Sequence, residues 1–141
     1  MGVLNLQKKI PVEKAVFEEF AALLTNAVFG KTSGTFSIAF ISDRRMKELN
    51  KLFRDKNSTT DVLSFPHEPD EFDPDKDNRG DIVISVEQAQ KQAEENGLTL
   101  EKEIKQLILH GVLHLCGYDH ETDDGEMNAR ELELREKLRI G

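Results

Sequence analysis

A chain of 141 residues, 38% hydrophobic and 33% charged, is large enough for one domain with its own core and has the composition of a globular protein with a heavily charged surface. Its net charge of -8 argues against a generally basic nucleic-acid surface, so any polyanion must meet a local basic patch. The single cysteine, Cys116, excludes an internal disulfide; with no apolar run of bilayer length and no secretory-signal pattern in MGVLNLQKKIP, a cytoplasmic protein without a membrane partner is expected.

Val3 to Leu6 alternates and reads as a first strand. Pro11 suits the first turn of a helix, along which Val16, Phe17, Phe20, Leu23, Leu24, Ala27 and Val28 recur at helical spacing, and Gly30 closes it. Thr35 to Ile41 (TFSIAFI) alternates and is rich in β-formers. Ser42 caps the next helix, with Met46, Leu49 and Phe53 inward. Its other faces carry Arg44, Arg45, Lys47, Lys51 and Arg54, a net-positive segment in an acidic protein. Most of these side chains read as a solvated face; Arg54 differs because it opens the polar segment leading to the next strand.

Asp61 to Phe65 (DVLSF) is a strand ended by Pro66, and His67 to Arg79 an acidic loop without the spacing of a calcium-binding hand. Asp81 to Ser85 (DIVIS) is a further strand. Ser85-Val86-Glu87-Gln88 opens a helix that runs to Asn96-Gly97. Thr99 caps the following helix, whose Ile104, Leu107, Ile108, Leu109, Val112 and Leu113 make it apolar almost all round and therefore central. Asp123 and Glu126 suit the start of a last helix, with Met127, Leu134 and Leu138 inward. The order β-α-β-α-β-β-α-α-α predicts a single α+β domain over 1–141: one small mixed sheet of about four strands, packed by about five helices.

Three of the four histidines fall in His110-Gly111-Val112-Leu113-His114-Leu115-Cys116-Gly117-Tyr118-Asp119-His120. Positions i and i+4 of a helix share a face, so His110 and His114 can aim at one point; Gly117 can end the helix and turn the chain so that His120 returns to it. Three neutral nitrogen ligands with a fourth position open describe a catalytic, zincin-like zinc site holding one Zn2+ on the central helix. Cys116 is a possible fourth ligand, but two positions from His114 it points elsewhere on a helix and is expected to pack as a small apolar residue. The spacing is that of metzincin proteases, except that their general-base glutamate is replaced by Gly111, which moves no proton. Zinc on three neutral ligands still lowers the pKa of bound water to about 7. An anionic substrate clamped by metal and cation fits this, and a phosphodiester transition state binds arginine bidentately.

HGVLHLCGYDH resembles the signature of the YbeY family, bacterial rRNA-maturation endoribonucleases formerly regarded as metalloproteases. Asn50-Lys51-Leu52-Phe53-Arg54, Thr60-Asp61-Val62-Leu63-Ser64-Phe65-Pro66 and Gly80-Asp81-Ile82-Val83-Ile84-Ser85 resemble that family's other blocks, in order. The resemblance implies zinc on His110, His114 and His120, with His114 counted among the catalytic residues. Arg54 takes the place of a functional arginine that contacts phosphate or the transition state. The implied activity is metal-dependent cleavage of single-stranded RNA, in 16S rRNA 3′-end maturation and ribosome quality control. Zinc-bound hydroxide would serve as nucleophile or as base toward a ribose 2′-hydroxyl. The implied partners are the 16S rRNA precursor and the small ribosomal subunit with its proteins; no DNA is expected. Two rivals stand beside this reading: a metal-dependent hydrolase of peptides or small molecules, and a non-catalytic, zinc-containing ribosome-assembly factor. Asp61 and Asp81 are read as holding loops by backbone hydrogen bonds, and His67 as a surface residue. Asp119 and Glu121 adjoin His120 and can orient a ligand or act as a weak base.

Overall fold

The computed structural model describes residues 2–29, 34–67, 72–73, 77–118 and 125–140. In chain order the elements are β1 (Val3–Asn5), α1 (Lys14–Phe29), β2 (Thr35–Ile41), α2 (Asp43–Arg54), β3 (Val62–Pro66), β4 (Asn78–Ser85), α3 (Val86–Asn96), α4 (Leu100–Leu115) and α5 (Glu126–Leu138). The strands form one mixed sheet in the order β1-β2-β4-β3. β1 and β4 run parallel to β2, and β3 lies antiparallel to β4 at the edge.

Period-two alternation sorts the strand residues between two layers. Phe36, Ile38 and Phe40 of β2, with Ile82 and Ile84 of β4, enter the main core beneath α1, α4 and α5. Leu63 and Val83 face the other way, onto Met46 of α2. α4 runs through the main core with Ile104, Ile108, Leu109, Val112 and Leu113 at 0% exposure. At about 1.5–3 kcal/mol for each large apolar side chain, their burial fixes this helix far more firmly than helix propensity does. Among the described residues no helix is long and apolar enough to cross a membrane.

Local chemistry sets the element ends. The Ser42, Ser85 and Thr99 hydroxyls accept the backbone N–H of Arg45, Gln88 and Lys102, and Gly97 closes α3 at φ 67°. Several boundaries and faces differ from the sequence reading. α1 begins at Lys14, because the Gln7 amide binds both the N–H and the carbonyl of Ile10 and holds the chain around Pro11 in a turn. On the same helix Leu23 is exposed. On α2 Met46 is buried and Leu49 packs partly buried beside it, but the next buried position is Asn50, not Phe53; Phe53 is exposed and meets Phe65 edge-on at 5.1 Å. β4 starts at Asn78 rather than Asp81, and β3 includes Pro66, because Gly80 continues the ladder opposite that proline. There Gly80 has φ 139°, and a Cβ would lie 2.2 Å from the Phe65 carbonyl oxygen. Gly30 and Asp123, assigned to helix ends from sequence, lie outside the described residues.

Candidate active site

The alternation of edge strand β3 turns Val62, Ser64 and Pro66 toward α4 and leaves an open cleft of about 580 Å³ between them. His110 and His114 line it from α4, Arg54 from the last residue of α2, and Thr60, Asp61 and Tyr118 complete its rim. The sequence blocks around Arg54, Asp61 and the histidines therefore meet in one place.

His110 and His114 stand one turn apart near the C-terminal end of α4, where the helix dipole favours a cation. Their Nε2 atoms are 3.1 Å apart. Two nitrogens bound to one tetrahedral zinc at about 2.0–2.1 Å are separated by about 3.3 Å, so this pair fits a shared ion with little movement. The Nδ1 of His110 faces Glu131 Oε1 at 3.4 Å. Cys116 N–H closes the helix on the Val112 and Leu113 carbonyls, and Gly117, at φ 96°, reverses the chain with its N–H on His114 O. The chain then enters 119–124, so His120, Asp119 and Glu121 lie outside the described residues. Among the described residues no three His, Cys, Asp or Glu side chains gather to hold a metal.

Gly111 is fixed by packing as well as by chemistry. A Cβ there would meet three Ile82 side-chain carbons at 3.0–3.1 Å. Position 111 thus faces β4, not the cleft, and its glycine lets α4 press against the sheet. From the neighbouring strand β3, Ser64 Oγ donates to the Gly111 carbonyl at 3.4 Å.

Arg54 is exposed, but the backbone beneath it is tied down. Asp55 adopts φ 55° and donates to the Asn50 and Lys51 carbonyls. Buried Asn50 donates through Nδ2 to Ser58 O at 2.8 Å, and Thr59 Oγ1 donates to Asp43. The Asp61 carbonyl accepts from Ser85 N–H, and Asp61 Oδ1 accepts from Val62 N–H at 2.8 Å. Asp61 thus does hold the strand entry while also lining the cleft. Asp81 does not hold a loop: it lies inside β4, exposed, opposite Phe65. His67 Nε2 is engaged by Asp73 Oδ2 at 2.6 Å.

Cys116 is exposed rather than packed as an apolar residue, since the helix has already ended there. Enough protein surrounds its thiol to push the pKa above the ordinary value, outweighing the downward pull of the Arg79 and Arg130 charges. The raised pKa makes it a poor thiolate ligand at neutral pH. Asn50, Ser64, Tyr118 and Glu131 were not singled out by the motif reading. Asn50 had a legible signal, a polar residue four positions after the inward Met46; Glu131, one carboxylate among several on its helix, had none.

The family model for Endoribonuclease YbeY matches residues 3–139. The Endoribonuclease YbeY of Aquifex aeolicus is 45% identical over 132 residues, covering 93% of this chain and 86% of that protein. The protein of the same name from Nautilia profundicola is 49% identical over 109 residues, 77% of this chain and 76% of its own length. The solution structure of TM1509 from Thermotoga maritima superposes with a TM-score of 0.64 at 26% identity, over 98% of this chain and 91% of that one. With residues 3–139 matched by the family model and relatives 45–49% identical over 77–93% of its length, the chain belongs to the YbeY endoribonuclease family.

Proposed function

We propose that this chain is a zinc-dependent endoribonuclease that cleaves single-stranded RNA, its substrate the 16S rRNA precursor in the context of the small ribosomal subunit. One observation carries the reading: Arg54 shares a cleft with two histidine nitrogens 3.1 Å apart, in a chain whose net charge is -8. An exposed arginine aimed into a cleft of an acidic protein is suited to a phosphate, which its guanidinium meets with two parallel N–H donors.

His110, His114 and His120 would hold the ion. Zinc so bound supplies a Lewis acid and a source of hydroxide near neutral pH. The protein's own groups do the rest. α4 sets the two imidazoles at one end of a helix that cannot shift within the core. Arg54 binds the non-bridging oxygens and stabilises the charge that builds on them. The open cleft is lined on one side by edge strand β3, which suits an extended single strand whose backbone can be drawn down to the histidines. Gly111 against Ile82 leaves no room for the zincin general base, which disfavours peptide hydrolysis by that route.

Cleavage of a defined unstructured RNA, with and without chelator and with end mapping, tests the proposal. Arg54→Glu is expected to lower cleavage by about 100-fold or more while zinc content stays at the wild-type level. Wild-type cleavage in that variant, or cleavage indifferent to chelator, would overturn the respective role. Cyclic-phosphate ends would identify the ribose 2′-hydroxyl as nucleophile, and 5′-phosphate ends would identify water.

A further inference from the structure

We propose that Glu131, on α5, is a positioning residue that fixes His110 with its proton on Nδ1 and the lone pair of Nε2 directed toward His114. The inference deepens the metal-site reading above and rests on it for its functional meaning.

Only three described α5 residues are buried: Met127, Glu131 and Leu134. They form an inward stripe at i, i+4 and i+7, so the middle of an apolar stripe holds a carboxylate. Glu131 is 7% exposed, and burying a charge there is costly unless it is paired and hydrogen-bonded. Two partners are in place. Arg135 Nη2 lies 3.6 Å from Oε1, one turn along the same helix. His110 Nδ1 lies 3.4 Å from that same oxygen, across the α4–α5 contact.

The Arg135 pair is an i,i+4 pair that any exposed helix face could host, so it gives no reason for an inward glutamate. The His110 contact does. An ionised carboxylate only accepts, so the ring nitrogen facing it must be the donor. That assigns the proton of neutral His110 to Nδ1 and leaves Nε2 with its lone pair. Nε2 is the atom 3.1 Å from His114 Nε2, so in the absence of metal His114 Nε2–H donates to it and the chain Glu131–His110–His114 is continuous. In the opposite tautomer Nε2 would carry the proton and could not ligate. A carboxylate behind a ligating histidine sets tautomer and ring tilt and raises ligand basicity, and losing it typically weakens metal binding 10–100-fold.

The test combines two readouts on wild type, Glu131→Gln and Glu131→Ala. Long-range 1H–15N correlation spectra of the metal-free protein report the His110 tautomer, and competition with a chromophoric chelator reports zinc affinity. Expected is the Nδ1–H form in wild type and in Glu131→Gln, whose amide oxygen still accepts, with zinc affinity lowered less than in Glu131→Ala. Glu131→Ala should lose the preference for Nδ1–H and bind zinc 10–100-fold more weakly. If the alanine variant does not fold, Glu131→Leu refills the stripe and serves the same comparison. An Nε2–H wild type, or an alanine or leucine variant with unchanged tautomer and affinity, overturns the inference. Wild type in the Nδ1–H form that nevertheless binds no zinc would refute the metal-site reading instead, while supporting the hold of Glu131 on the ring.

Discussion

The two walls of the cleft are built on opposite principles. The α4 wall is a long helix buried on nearly all sides, with His110 and His114 a single turn apart and both lining the cleft. The opposite wall is the exposed end of α2, where a long, flexible arginine stands on a backbone clamped by Asn50, Asp55 and Thr59. Coordination tolerates errors of about 0.2 Å in ligand distance, so its donors need a rigid floor. Phosphate binding tolerates a side chain that reorients, provided its root stays put. Rigidity is thus placed differently: in the packing of one wall and in the loop of the other.

Removing a donor from the rigid wall should have the largest effect. His114→Ala is expected to bind zinc less tightly by more than about 100-fold, beyond the usual cost of an outer-sphere change, and to lose RNA cleavage in parallel. Because His114 is only partly buried, its thermal melt should stay close to that of the wild type. Full zinc occupancy, measured by metal analysis after dialysis, would break the contrast between the walls.

The packing of that wall is tested at Gly111. Gly111→Glu, which would reinstate the zincin base, forces a charged side chain against Ile82 and should cost about 3 kcal/mol or more in a urea titration. Gly111→Ala is milder: overpacking of about 1–3 kcal/mol is offset by about 1 kcal/mol of helix propensity. Pairing it with Ile82→Val, which removes the Cδ1 atom that lies 3.1 Å from where the alanine methyl would sit, should recover part of the loss. Additive losses would mean that Ile82 is not what excludes a side chain at 111.

The sequence made these two walls unequally legible. The buried helix announced itself through apolar residues on every face and through caps at Thr99 and Gly117, and its i,i+4 histidines followed from helix geometry alone. The element order and the mixed sheet were equally readable, because the alternation of TFSIAFI survives as alternate burial and DIVIS forms the buried end of its strand. The Arg54 wall was readable as a candidate residue but not as a construction. Phe53 looks inward on a helical wheel, yet it is exposed at the last turn of α2 and meets Phe65 of the edge strand edge-on. Glu131 was hidden for a related reason: in a helix rich in charge, one carboxylate facing inward carries no local mark, and its partner is 21 residues away.

Asn50 offers a smaller test of the second wall. Asn50→Ala strands the Ser58 carbonyl and should cost about 1–3 kcal/mol. Its larger consequence should be kinetic: with the loop after α2 loosened, cleavage falls while zinc affinity is unchanged. A variant that loses stability but cleaves RNA at the wild-type rate would show that the Arg54 backbone needs no such anchor.

The smallest effect is expected at Cys116. It lies between the second histidine and the turn at Gly117, close enough to the site in sequence to suggest a fourth ligand, yet it is exposed and absent from the cleft lining. A thiol whose pKa is held up by its surroundings must give up its proton before it can bind zinc, and that cost weighs against it in competition with neutral imidazoles. Cys116→Ser should therefore bind zinc within about twofold of the wild type and cleave RNA equally well. X-ray absorption of the zinc-loaded protein should detect nitrogen and oxygen scatterers without sulfur. A sulfur shell at about 2.3 Å would mean a closed, structural site, and the difference between a rigid catalytic wall and a rigid scaffold would vanish.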